Sequence, residues 1–253
     1  LKSENVRLTE IQKELDIARR IQRTILPERE PVMPRLDIQV RYLPAESVGG
    51  DFYDFHVLDR DRLGVIIADV SGHGIPAALI ASMLKVAFSM QHAVADDPAA
   101  LLTAVNRTLA GKFKKQFITA LYAYLDLARG VLVTSNAGHF PVYVLKKGSG
   151  AARMVAPRGR VIGFLPEIDA KSDFIAVEPG DRIVLFTDGI IETRNRGGEF
   201  FGWENFEGLI ALHGADSAAA FTDLVLERIR SWIPVGKKFE DDVTLIVIDV
   251  LAG

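Results

Sequence analysis

Four short segments of this chain each carry aspartate at an abrupt turn: Gly49-Gly50-Asp51, Asp69-Val70-Ser71-Gly72-His73-Gly74, Thr187-Asp188-Gly189 and Glu240-Asp241-Asp242. Three of them border apolar runs that read as buried strands. A strand that runs straight into a carboxylate and a glycine lifts an anionic group to the edge of the core. Several carboxylates gathered that way repel one another, and hard divalent cations would offset the repulsion. Carboxylate, water and carbonyl oxygens suit Mg²⁺ or Mn²⁺, whereas zinc would bring His and Cys. Two such ions about 3.5–4 Å apart can activate a water and clamp phosphate oxygens in line. That route to phosphoester hydrolysis needs no protein nucleophile.

Each segment also has a plainer reading. Asp51 follows two glycines, which permit close backbone approach to a metal or phosphate, or it caps a solvated surface turn. Asp69 ends the apolar run Val65–Ala68, and the turn after it exposes backbone carbonyls, such as that of Val70, that can serve as hard-cation ligands. Asp188 ends the run Ile183–Phe186. Asp241 and Asp242 precede the last strand as metal ligands or as a solvated cap. His73 is a candidate general acid, a supporting donor, or a structural histidine. Ser71 lacks a nucleophile elbow and a triad.

The elements that must position these residues are mostly strands. Expected strands cover 36–43, 52–58, 63–68, 117–126, 130–136, 141–146, 172–177, 181–187 and 243–250, with turns such as Asp59-Arg60-Asp61-Arg62 and Glu178-Pro179-Gly180 between them. Helices are expected over 75–95, from Pro98 to about 114, over 203–213 and over 216–232. Hairpins dominate and the helices come in pairs, which is an α+β layered sandwich and not an alternating parallel α/β protein.

Residues 1 to about 26 predict a helix whose seam, Leu1, Glu4, Leu8, Ile11, Leu15, Ala18, Gln22 and Ile25, alternates spacings of three and four. Pro27, Pro31 and Pro34 end it. It is either an amphipathic helix packed on its own domain or a coiled-coil linker from an upstream sensory or receiver domain that pairs two copies. The division expected is a helical, regulatory linker over 1–30 and a catalytic domain over 31–253.

Composition closes other routes. Of 253 residues, 49% are hydrophobic, enough for a large core, and the net charge of −3 leaves no overall basic footprint for nucleic acid. The absence of cysteine excludes disulfides and thiolate metal sites and is compatible with a reducing cytoplasm. No apolar run approaches the roughly 20 residues of a membrane span.

In order along the chain stand Val-Gly-Gly-Asp-Phe-Tyr-Asp (48–54), Ala-Asp-Val-Ser-Gly-His-Gly (68–74), Asn-Ala-Gly-His (136–139), Gly-Asp-Arg-Ile-Val-Leu-Phe-Thr-Asp-Gly-Ile-Ile-Glu (180–192), Phe-Gly (201–202) and Asp-Asp-Val-Thr-Leu (241–245). Together they resemble the PPM-type (protein phosphatase 2C-like) serine/threonine phosphatases of the bacterial SpoIIE/RsbU-like branch. Residues 18–27 are similar to that branch's helical lead-in. The resemblance implies a four-layer α-β-β-α sandwich with mainly antiparallel sheets and a binuclear Mn²⁺ or Mg²⁺ centre. Asp51 would bridge both ions, Asp69 and the Val70 carbonyl would complete one side, and Asp188 and Asp241 would hold the other. Asp242 would be a secondary ligand. It also implies a phosphoserine or phosphothreonine substrate on a STAS-type anti-sigma-factor antagonist, in a partner-switching pathway. A catalytically silent interaction module on the same scaffold is the alternative. One departure stands out: Ala45-Glu46-Ser47-Val48 lacks the phosphate-binding Arg that eukaryotic relatives place before the first metal Asp.

Overall fold

Alternate side chains of a strand point to opposite faces, so an unbroken apolar run requires cover on both sides. Strands β9 (Arg182–Phe186) and β10 (Val243–Val250) are such runs, buried almost throughout. Ile183, Leu185, Ile246 and Ile248 enter one core, while Val184, Phe186, Leu245 and Val247 enter another. The computed structural model of the chain describes residues 13, 17–22, 24–148, 152–155 and 157–252. It has two five-stranded sheets. One runs β1 (Leu36–Leu43), β10, β9, β6 (Val142–Leu145), β7 (Ala152–Val155). The other runs β2 (Phe52–Val57), β3 (Arg62–Val70), β4 (Ile118–Asp126), β5 (Val131–Ala137), β8 (Ser172–Ala176). All ladders between these strands are antiparallel.

Helices α2 (Gly74–Ser89) and α3 (Pro98–Leu109) pack on the second sheet, and α4 (Gly202–His213) and α5 (Ala218–Trp232) on the first. The larger core lies between the sheets and continues under α2 and α3; the smaller lies under α4 and α5. This is the expected α-β-β-α order. Asp97 caps α3 by accepting from Ala100 N–H at 3.1 Å, with Pro98 at the first helical position. Ser217 caps α5 in the same way through Ala220.

Two helix ends and one strand differ most from expectation. α2 stops at Ser89, and a separate 3₁₀ turn, His92–Val94, follows. α3 stops at Leu109 because Ala110 leaves helical geometry and Gly111 takes a φ of 70°. β7 was not expected; it is a four-residue edge strand with two exposed side chains, so it carries little apolar signal. Among the described residues no helix is long and apolar enough to cross a membrane.

At the N-terminus residues 17–22 form a helix, α1. Seam residues Leu1, Glu4, Leu8, Ile11 and Leu15 lie outside the described residues. Of the others, Gln22 is buried and Ala18 and Ile25 half-buried, while the off-seam Ile17 and Ile21 are 56% and 60% exposed. The last turns of the seam therefore face the chain's own domain, and Leu26 joins the main core.

Candidate metal centre

Strand order brings the four acidic segments together. Asp51 directly precedes β2 and Asp69 lies at the end of β3, its neighbour. Asp188 follows β9 by two residues and Asp241 precedes β10, again neighbours, in the facing sheet. Asp69, Val70, Asp188 and Asp241 line one cavity of about 370 Å³, together with Thr119 and His139.

Asp51 does not line that cavity; it is 2% exposed and close enough to Asp69 for their charges to interact. Its Oδ2 accepts from the Thr187 hydroxyl at 2.7 Å and the Thr244 hydroxyl at 2.6 Å. Thr187 Oγ1 in turn accepts the backbone N–H of Thr244 at 2.9 Å. The two threonines belong to the β9 and β10 ends, so they lock an acid of one sheet to the other sheet. Asp51 Oδ1 takes no hydrogen bond among the described residues, which leaves it open as a donor atom.

The electrostatics show how costly the gathering of these acids is. Burial, then the charges of Asp188 and Asp241, push Asp69 up to about 8. Burial, then Asp241 and Glu192, push Asp188 up to about 6. Asp241 is raised by burial, and Asp51 is raised well above the carboxylate range by burial, Asp69 and Asp242, against the two threonine bonds. Four carboxyls in one low-dielectric neighbourhood ionise at a cost, which a bound cation would offset. The donor set, all oxygen and all anionic or carbonyl, fits a hard divalent ion and not zinc. Among the described residues no three ligating side chains already stand at metal-binding spacing, so the acids form an open neighbourhood and not a closed cage.

The family model for stage II sporulation protein E (SpoIIE) matches residues 59–251. The chain belongs to the SpoIIE family. Curated relatives include phosphoserine phosphatase RsbU of Bacillus subtilis, 32% identical over 94% of this chain and 70% of RsbU. Phosphoserine phosphatase RsbP of the same organism is 30% identical over 71% of this chain and 45% of RsbP. Among solved structures the SiaA-PP2C domain of Pseudomonas aeruginosa superposes with a TM-score of 0.86 at 24% identity, covering 96% of this chain and 98% of that one. The fold is therefore the PP2C-like sandwich that the motifs imply.

Within this SpoIIE-family site, Asp242 is employed differently from the ligand role that the resemblance implies. Its Oδ1 accepts from Ala45 N–H at 2.8 Å, and its Oδ2 from Gly50 N–H at 2.7 Å and Asp51 N–H at 3.3 Å. It anchors the loop that carries Asp51. The glycines before Asp51 do permit close approach, but to protein: a Cβ on Gly49 would lie 2.0 Å from Asp242 Oδ2, and one on Gly50 2.8 Å from the Val70 carbonyl. His73 stands outside the cavity, its side chain 83% exposed and 3.2 Å from Glu46.

Several residues were not singled out from the sequence. Thr187 and Thr244 sit inside the quoted motifs, adjacent to or near the acids, and their position was the available signal. Glu192, one turn beyond Asp188 with its N–H on the Asp188 carbonyl, adds a further carboxylate to the field. His139 takes up the Asn-Ala-Gly-His motif: its Nδ1 lies 2.9 Å from Thr119 Oγ1, and burial lowers it to about 4, so it is neutral at pH 7. Gln22 exchanges two hydrogen bonds with Gly49, its Nε2 donating to the carbonyl and its Oε1 accepting the N–H at 2.9 Å. The end of α1 thus grips the loop of Asp51.

Proposed function

We propose that this chain is a metal-dependent protein serine/threonine phosphatase. The observation that carries the reading is the arrival of Asp69, Asp188 and Asp241 at one cavity, from neighbouring strand ends of both sheets, with the buried Asp51 held by two threonine hydroxyls. Asp51, Asp69, the Val70 carbonyl, Asp188 and Asp241 would hold two Mn²⁺ or Mg²⁺ ions. When bound, such ions supply an acidified water nucleophile and charge stabilisation on the phosphoryl oxygens.

The chain's own residues hold the site. Thr187 and Thr244 fix one oxygen of Asp51 and leave the other free. Asp242 and Gln22 fix the backbone from which Asp51 hangs. Neutral His139 orients the Thr119 hydroxyl at the cavity wall without adding charge. Ser71 accepts the Phe117 N–H at 2.8 Å, which ties it into the wall.

The substrate proposed is a phosphoserine or phosphothreonine on a STAS-type regulator, supported by the likeness to RsbU and RsbP, which are phosphoserine phosphatases. Residues 1–30 are proposed as the regulatory linker that joins an upstream sensory domain and pairs two copies, and residues 31–253 as the cytoplasmic catalytic domain. The Gln22 grip on Gly49 supports this division, because it gives the linker a direct hold on the Asp51 loop.

The test is phosphate release from a phosphoserine STAS-type protein with Mn²⁺, with chelator, and with Asp188→Ala. Release that requires Mn²⁺ and is lost in the variant supports the reading. Release that persists in chelator, or in the variant, contradicts it.

A further inference from the structure

The cavity is ringed by acids on one side, and the loop before Asp51 has no arginine to meet phosphate. Two segments beside the cavity are built differently: residues 110–117, after α3, whose Phe117 lines it, and residues 157–166, after β7. They are tied together by a two-way backbone bridge between Ile118 and Ile162, at 3.0 and 2.8 Å, and by Gly111 N–H on the Gly163 carbonyl at 3.1 Å. Gly163 has a φ of 93° and lies so close to Phe113 that a Cβ there would be 2.0 Å from its ring. The pair is therefore one platform.

It adjoins the cavity on two sides. Phe117 lines the cavity, and Val161 packs against Gly138, which also lines it. The two segments hold Lys112, Lys114, Lys115, Arg158 and Arg160 and no Asp or Glu. All five cations are exposed, and none makes an ion pair among the described residues, in a chain whose net charge is −3. Phe117 and Phe164 are 37% and 69% exposed on the same platform. Exposed aromatics set among unpaired cations are the composition of a recognition surface.

We infer that this platform docks the acidic surface of the phosphoprotein substrate, so that residues 112–115 and 158–160 select targets whose phosphoserine is flanked by Asp and Glu. The inference rests on the phosphatase reading for the phosphoserine alone. Charge complementarity names the partner: five free cations steer an acidic face, and the phenylalanines give it an apolar foothold. A nucleic-acid strand fits less well, because its backbone would continue from the platform onto Asp69, Asp188 and Asp241.

The test separates docking from turnover. Fluorescence anisotropy in chelator measures binding of three labelled peptides, each with one phosphoserine, flanked by four glutamates, four serines or four lysines, with a single-stranded DNA 12-mer as a fourth probe. Wild type should bind the acidic peptide at least tenfold more tightly than the lysine-flanked one, and raising salt from 50 to 300 mM should erase most of that preference. K112E/K114E/K115E and R158E/R160E should each lose the preference while melting within a few degrees of wild type. Wild-type affinity that ignores flanking charge, or tighter binding of DNA than of the acidic peptide, overturns the inference without any variant having to fold. A preference that survives both variants also overturns it. Failure of the phosphatase reading would show separately, as no Mn²⁺-dependent phosphate release from a phosphoserine STAS-type protein.

Discussion

Asp51 depends on two hydroxyls that carry no chemistry of their own. Thr187→Val and Thr244→Val keep shape and remove a hydrogen bond to a buried carboxyl, a change of about 1–3 kcal/mol each in folding stability. Because Asp51 Oδ2 then loses its tether, Mn²⁺ affinity measured by calorimetry should fall at least tenfold in either variant. Unchanged affinity would remove the threonines from the account. The pH behaviour is set at the same scale. Asp188 and Asp69 bind protons more tightly folded than unfolded, with folded values near 6 and 8 against an ordinary 3.8. Their contribution to stability is full at low pH and is lost as pH rises through those folded values. In chelator, the melting temperature should therefore fall from about pH 4, where the unfolded chain ionises, to about pH 8, most steeply below pH 6 where both groups contribute. A saturating divalent ion should abolish that fall, so the gain from metal grows with pH. Residue identity was legible here only in part. Asp241 and Asp242 are adjacent, and nothing in the sequence says that the first lines the cavity while the second turns to the backbone of Ala45, Gly50 and Asp51.

At the scale of elements, the loops between strands position the chemistry, and glycines decide how closely they pass. A Cβ on Gly189 would lie 1.9 Å from the Asp242 carbonyl, a backbone atom that cannot swing away. Gly189→Ala should cost about 1–3 kcal/mol by overpacking and push Asp188 off its place, read as a lower denaturation midpoint together with weaker Mn²⁺ binding. The α1 end offers a second test. Gln22→Ala leaves the Gly49 N–H and carbonyl without their side-chain partner, and phosphate release should drop at least tenfold in kcat. A drop confined to stability, with kcat intact, would make Gln22 a packing residue and nothing more. Strands and helices were mostly legible because burial on both faces writes itself as unbroken apolar runs, as in β9 and β10. β7 was not, because an edge strand with Arg153 and Met154 exposed has no such run. The role of Gln22 was hidden too, since a polar residue on a heptad seam reads as a register device until its partner loop is seen.

For the molecule as a whole, the two sheets meet at a cluster of like charge that the fold itself opposes. A cation that binds only the folded state at 100 times its Kd adds about 2.7 kcal/mol, or about 5–10 °C in melting temperature for a domain of this size. Mn²⁺ should produce that rise, and Asp69→Asn with Asp188→Asn should abolish it while raising the metal-free melting temperature. The layered fold was legible from hairpins and paired helices, and the gathering of the acids from their places at strand ends. What required three dimensions was the division of those acids into the three that line the cavity, the buried Asp51 and the loop anchor Asp242. The most direct test of that division is anomalous diffraction from crystals grown with Mn²⁺. The account predicts manganese peaks bounded by Asp51, Asp69, Asp188 and Asp241, with Asp242 still on the backbone of Gly50. Peaks held by Asp242 in place of Asp51, or none in the cavity at millimolar Mn²⁺, would contradict it.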